Sequence, residues 1–131
     1  MPRAVDTNVL VRILVDDGTE QADRARQRFV TEEVFVPSSV LLETEWVLRS
    51  HLGLDRKALN DLLTAVARAP AMQLENRTQM LQAIDAHRRG PDFADAIHLF
   101  AATSCDGIYS FDALFRRKAA KPNAPLSVLF P

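Results

Sequence analysis

Residues 3–11 read RAVDTNVLV. An apolar segment begins almost at the N-terminus, and Asp6, Thr7 and Asn8 interrupt it at once. Two readings fit a short strand ending near Val5 and a helix starting near Thr7. In the first, the polar trio caps the helix, because Asp, Thr and Asn accept hydrogen bonds from the orphan N–H groups of a first turn. In the second, Asp6 is an active-site carboxylate, because ligands of open α/β sheets sit outside the carboxyl ends of strands.

Working outward, 19–31 (TEQADRARQRFVT) reads as a polar amphipathic helix and VFVPS at 34–38 as a β-branched strand stopped by proline. Ser38 or Ser39 is expected to cap a helix over about 40–52, ended by Gly53. Asp55 opens another helix, closed by Pro70, and MQLE at 72–75 suggests a strand. Asn76 opens RTQMLQAIDAHRR, and Gly90–Pro91 ends it. Asp92 opens the most apolar helix, FADAIHLFAATS, expected through 104. GIYS (107–110) reads as a strand, Asp112 begins a short basic helix (ALFRRKA), and LSVLF (126–130) reads as the last strand. Gly18, Gly107, Pro37 and Pro122 supply further punctuation. Four or five short strands alternating with helices predict βαβ units and a parallel sheet between helical layers.

A chain of 131 residues predicts a single domain over 1–131, and no linker or repeat divides it. Hydrophobic residues make up 47% and charged residues 25%, an ordinary globular balance. The single cysteine, Cys105, excludes an internal disulfide and a CxxC-type metal site. It follows the Ala-rich LFAATS, so a buried apolar role is expected in a reduced, cytoplasmic compartment. No secretory signal pattern is visible, and no window matches a membrane span. A net charge of −1 argues against nonspecific coating of nucleic acid, while leaving room for a local basic patch.

The acids that stand out are Asp6, Glu43, Asp92, Asp95 and Asp112. Asp6 and Asp112 share a setting, since each follows a short apolar strand and precedes a helix. Asp112 equally suits a plain N-cap of ALFRRKA. On a helical wheel Glu43 falls between Trp46 and Val47, and Glu45 falls beside Leu41, Leu48 and Leu52, so periodicity alone does not choose between them. Asp92 and Asp95 share a helix face, Asp92 as a natural N-cap and Asp95 half-buried among Phe93, Ala94, Ala96 and Ile97. Carboxylates gathered at one sheet edge would repel and raise each other's pKa. A divalent cation removes that repulsion, and oxygen-only donors favour Mg²⁺ or Mn²⁺ over zinc. Neither a P-loop nor a GxGxxG is present.

VDTNVLVRIL, VPSSVLLETEWVLRS, DFADAIHLFAA and IYSFDALF follow one another along the chain. With these four motifs the sequence resembles the PIN-domain ribonucleases, specifically the VapC-type toxins of bacterial toxin–antitoxin pairs. The resemblance implies a PIN-like three-layer α/β/α sandwich around a mainly parallel four- to five-stranded sheet. It implies that Asp6, Glu43, Asp95 and Asp112 are the catalytic, metal-binding acids, choosing Glu43 over Glu45, and that Asn8 and Ser110 orient carboxylates or water. It also implies Mg²⁺- or Mn²⁺-dependent cleavage of RNA, a homodimer, silencing by a cognate antitoxin protein, and operator DNA bound only through that antitoxin.

RNA needs positive charge near the acids. Candidates are Arg12, Arg49, Arg88, Arg89 and the Arg116, Arg117, Lys118, Lys121 cluster; phosphate contacts would position substrate without reading it. Arg24, Arg26 and Arg28 read instead as a solvated face balanced by Glu20, Asp23, Glu32 and Glu33. Aromatic residues are 7% and suggest no stacking platform. His51, His87 and His98 are scattered and none is assigned to metal; His98, on the apolar helix, is expected in the core, as are Trp46, Leu48 and Leu52. The helices over 40–66 are also candidates for an antitoxin groove.

Two rivals remain. One is a PIN-like binding module without catalysis, which loss of an acid would signal; all four acids are present. The other is an aspartyl-phosphate phosphatase or phosphoacceptor domain with Asp6 as nucleophile. Asn8 stands where the haloacid-dehalogenase type has its second aspartate, and no lysine lies between Lys57 and Lys118 to serve a receiver-like site.

Overall fold

The apolar runs at 3–5, 34–36 and 72–74 lie side by side. The structure is a computed structural model that describes residues 1–15, 18–121 and 124–131, with the backbone alone at 29 and 30. Pro122 lies outside the described residues. Two compact units divide the chain, Met1–Arg77 and Thr78–Pro131.

The first unit runs β1 (Arg3–Ala4), α1 (Thr7–Leu14), α2 (Glu20–Thr31), β2 (Val34–Val36), α3 (Ser38–Ser50), α4 (Arg56–Arg68) and β3 (Met72–Leu74). Its sheet has the order β1-β2-β3 with both pairings parallel, Ala4 opposite Phe35 and Phe35 opposite Gln73. Period-2 alternation sets the faces. Val34, Val36, Met72 and Leu74 are buried, while Phe35 is half-buried and Gln73 is exposed, its amide donating to Glu33 Oε2 at 2.7 Å. α1 packs on α2 and α3, α3 on α4, and α4 on β3. Leu10, Leu41, Leu48, Leu59, Leu63 and Val66 are the large side chains these helices bury.

Helix starts follow capping chemistry. Asp6 accepts from Val9 N–H (3.0 Å), Thr19 from Ala22 N–H (3.2 Å) and Asp55 from Ala58 N–H (2.8 Å). α3 departs from the expectation. It starts at Ser38, two residues early, with Pro37 at the cap position and no capping bond from its own side chains. Glu75, at the end of β3, supplies the cap instead. Its Oε1 accepts from Ser38 N–H at 2.9 Å, and Ser38 Oγ donates to the Glu75 carbonyl at 3.3 Å. Past the end of α3, Gly53 takes φ +66°, and Leu54 N–H returns to the Leu48 carbonyl at 3.2 Å.

The buried stripe of α3 is Leu41, Thr44, Glu45 and Leu48. Trp46 and Leu52 fall off that stripe and are 49% and 47% exposed, so of the three expected core residues only Leu48 is buried. The Trp46 ring meets His51 edge-on at 5.0 Å.

The second unit holds α5 (Arg77–Arg88, its first residue closing the first unit), α6 (Phe93–Ala101), β4 (Ile108–Tyr109), α7 (Ala113–Ala119) and β5 (Val128–Leu129). β4 and β5 pair in parallel, Ile108 opposite Val128. Among the described residues there are thus five short strands, all paired in parallel, where four or five in one sheet were expected, and they pair as three and two. The physical reason is their length, two or three residues each, which gives every ladder few bonds. Leu99, Phe115, Ala119 and Val128 form a buried cluster, with Phe100, Ile108 and Leu126 against it.

Three expectations fail here. α6 ends at Ala101, and the chain turns through Ala102 N–H to Leu99 C=O (3.3 Å) and Cys105 N–H to Ala102 C=O (2.9 Å). Cys105 lies beyond the helix and is exposed, not buried. His98 faces solvent; the buried histidine is His87, whose ring meets Phe93 edge-on at 5.6 Å. Among the described residues no helix is long and apolar enough to cross a membrane.

Candidate functional site

The two readings of the opening stretch are compatible. Asp6 follows β1 and caps α1 through Oδ1 alone. Its side chain is exposed, and among the described residues its Oδ2 has no protein partner. Asn8 is exposed in the first turn of α1. The parallel register of β1 and β2 puts the starts of α1 and α3 at one sheet edge, the carboxyl edge. Glu43 lies six residues into α3 from that edge.

Burial separates the two glutamates that periodicity leaves open. Glu45 is 3% exposed and bound by Arg49 Nε at 2.9 Å. Glu43 is exposed and has no hydrogen-bond partner among the described residues. One glutamate serves the fold, and the other is free for a ligand. Arg49, a candidate for RNA, is engaged by Glu45.

The second unit gathers three acids. Asp92 caps α6, its Oδ2 accepting from Asp95 N–H at 3.4 Å. Asp112 caps α7, its Oδ1 accepting from Leu114 N–H (2.9 Å) and Phe115 N–H (3.1 Å). Asp95, half-buried in the first turn of α6, feels both. Burial raises its pKa above the ordinary value, the Asp92 and Asp112 charges raise it further, and His98 and Lys118 oppose the shift. Lys118 is thus a local counter-charge to Asp95 as well as a candidate for phosphate, and its Nζ donates to the Gly90 carbonyl at 3.1 Å.

Ser110 acts on the backbone of the turn. Its Oγ accepts from Asp112 N–H at 3.0 Å, while Arg116 donates to its carbonyl at 2.9 Å. Elsewhere, Arg24 and Arg28 pair with Glu20 and Glu32 as a solvated face requires, whereas Arg26, half-buried beside Asp23, donates to the Arg12 and Ile13 carbonyls of α1, and Arg89 pairs with Asp85 at 2.8 Å.

Among the described residues no three His, Cys, Asp or Glu side chains are placed to hold a metal ion together. The donor chemistry nonetheless fits a hard cation. The candidate ligands are all carboxylates, and Asp6 and Asp112 each keep one oxygen clear of the cap. Sequence reasoning missed two features. Glu75 as a cap lies 37 residues from its helix, with no local signal. The exposed rings of Tyr109 and Phe111 beside Asp112 lie in YSFD, whose short apolar run alone does not show which side chains stay in solvent.

No curated protein and no solved structure matches the chain. The family model described as the PIN domain matches residues 3–121, which spans both units. PIN domains are generally nuclease domains, commonly metal-dependent through Mg²⁺ or Mn²⁺. With 119 of its residues in that match, from 3 to 121, the chain belongs to the PIN domain family.

Proposed function

We propose that this protein is a Mg²⁺- or Mn²⁺-dependent endoribonuclease, the toxin of a VapC-type pair held silent by a cognate antitoxin. The observation that carries the reading is Asp95. It is half-buried in the first turn of α6, between Asp92 and Asp112, and the neighbouring Asp112 keeps one carboxylate oxygen clear of its helix cap, a donor set that suits a hard cation. Family membership supplies the reaction class. The four motifs of the sequence support the toxin assignment, with its antitoxin and homodimer.

In this reading Asp6, Glu43, Asp95 and Asp112 hold the ion. When bound, it acidifies a water for attack on a phosphodiester and offsets the charge on the leaving oxygen. The residues do the rest. The capping bonds of Asp6 and Asp112 fix each carboxylate on a helix start, leaving one oxygen outward. Ser110 holds the backbone turn beneath Asp112. Arg117 and Lys121, both exposed, are free to meet phosphates. No side chain is needed as a nucleophile.

The test compares wild type with Asp6→Asn on total RNA, with Mg²⁺, with Mn²⁺ and with EDTA. Discrete fragments that need metal and vanish in the variant support the reading, and their ends name the substrate. A folded, antitoxin-free wild type that leaves tRNA and rRNA intact sinks it, and leaves Asp6 a helix cap in a binding module.

A further inference from the structure

The exposed rings of the second unit stand beside one of the candidate acids. Tyr109 and Phe111 flank Ser110, and they are 73% and 76% exposed; Phe130, after β5, is 64% exposed. Tyr109 ends β4 and is exposed, Phe111 lies past the strand and is exposed, and Ile108 packs against the buried cluster. Phe111 and Phe130 meet edge-to-face at 5.5 Å and 82°. The guanidinium of Arg116 lies 5.0 Å over the Phe130 ring and donates to the Ser110 carbonyl at 2.9 Å. Phe111 and Phe130 are therefore held in place, yet open to water, with exposed Tyr109 two residues before Phe111. Rings this exposed forgo a large burial gain and call for an occupant.

We propose that Tyr109, Phe111 and Phe130, braced by Arg116, form a stacking platform for unpaired RNA bases next to Asp112. The proposal rests on the nuclease reading above and narrows its substrate to single-stranded or looped RNA. The chemistry of the patch favours this occupant. It offers π-faces with a cation on one of them, and α7 carries Arg116, Arg117 and Lys118 directly alongside. An unpaired nucleotide presents a π-face and an anionic phosphate together, which matches both. Phe111 immediately precedes Asp112, so a base on its ring would sit one residue along the chain from a candidate acid. In a duplex the bases stack on each other and offer no face to a ring, so a paired stretch gains nothing here.

The test works in EDTA, where no cleavage occurs. A single-stranded RNA decamer carries one 2-aminopurine, moved position by position, and its fluorescence is read against protein concentration. The variants are Phe111→Leu and Phe130→Leu, which keep apolar bulk and remove the π-face, with Trp46→Leu, at an exposed ring of the first unit, as a control that keeps the platform. The rings are exposed, so melting curves of the Leu variants should match wild type. Expected are quenching at one or two adjacent positions by wild type and Trp46→Leu, loss of that quenching in Phe111→Leu and Phe130→Leu, and binding by those two weakened about tenfold or more. The same oligomer annealed to its complement should bind weakly and show no position-specific quenching. Metal-dependent cleavage by a wild type that quenches nothing overturns the platform and leaves the nuclease reading standing. Phe111→Leu and Phe130→Leu variants that bind as wild type does overturn it too, as does a patch that sedimentation shows to be buried between two copies of the chain. A wild type that neither binds nor cleaves RNA removes both proposals.

Discussion

Asp95 makes a pH prediction with a definite sign. Its pKa in the folded protein lies above the ordinary 3.8, chiefly through burial and then through Asp92 and Asp112. A raised folded pKa means that the protonated group favours the fold. That contribution is complete below the unfolded value and is lost as pH rises through the folded one. In EDTA at neutral pH, Asp95→Asn should therefore melt higher than wild type. The difference should close as the buffer is brought below about pH 4, the ordinary range of an Asp carboxyl. A variant that melts lower at every pH would show that Asp95 holds a stabilising bond instead. The two glutamates of α3 give a paired test. Glu43→Gln should abolish cleavage and leave stability within about 0.5 kcal/mol, as exposed substitutions do. Glu45→Ala empties a buried site and removes the carboxylate that Arg49 binds, and should cost on the order of 1–3 kcal/mol in a urea titration. The reverse pattern would exchange their roles. The residue scale was only partly legible. The motif named Glu43, but only burial showed what Glu45 does; the apolar run around His98 suggested a core that its helix face does not meet.

Elements were read best where their signals are local. α1, α2 and α4 start where Asp6, Thr19 and Asp55 say they should, because a cap bonds backbone within three residues of itself. The start of α3 was misplaced because its cap comes from another element, and the end of α6 because small residues in AATS carry no stop signal. Glu75→Ala should cost about 0.5–2 kcal/mol, the worth of a good cap. Hydrogen exchange should locate the loss at the amides of 38–41, with α4 unchanged. Faster exchange spread evenly over the unit would instead make Glu75 a global support.

At the scale of the whole chain, family membership was legible from four motifs, and the pairing of five strands as three and two was not, since two-residue strands leave no register in sequence. Metal binding offers the test here, because a ligand held only by the folded state stabilises all of it. Mg²⁺ or Mn²⁺ should raise the melting temperature in a dose-dependent way, reaching about 2.7 kcal/mol at a hundred times the dissociation constant. Asp95→Asn should flatten that response. An equal response in wild type and variant would place the ion elsewhere.

The bond between Glu75 and Ser38 also sets a timetable. Residue 38 leaves the ribosome 37 residues before the carboxylate that receives its N–H. At about 5–20 residues per second, α3 starts life uncapped for roughly 2–7 seconds. During that interval the helix that carries Glu43 lacks its anchor, and closing a loop of this size costs entropy that only the finished β3 recovers. A nascent chain stopped short of Glu75 would hold the segment without its final shape, so the candidate acid on α3 is set late in synthesis.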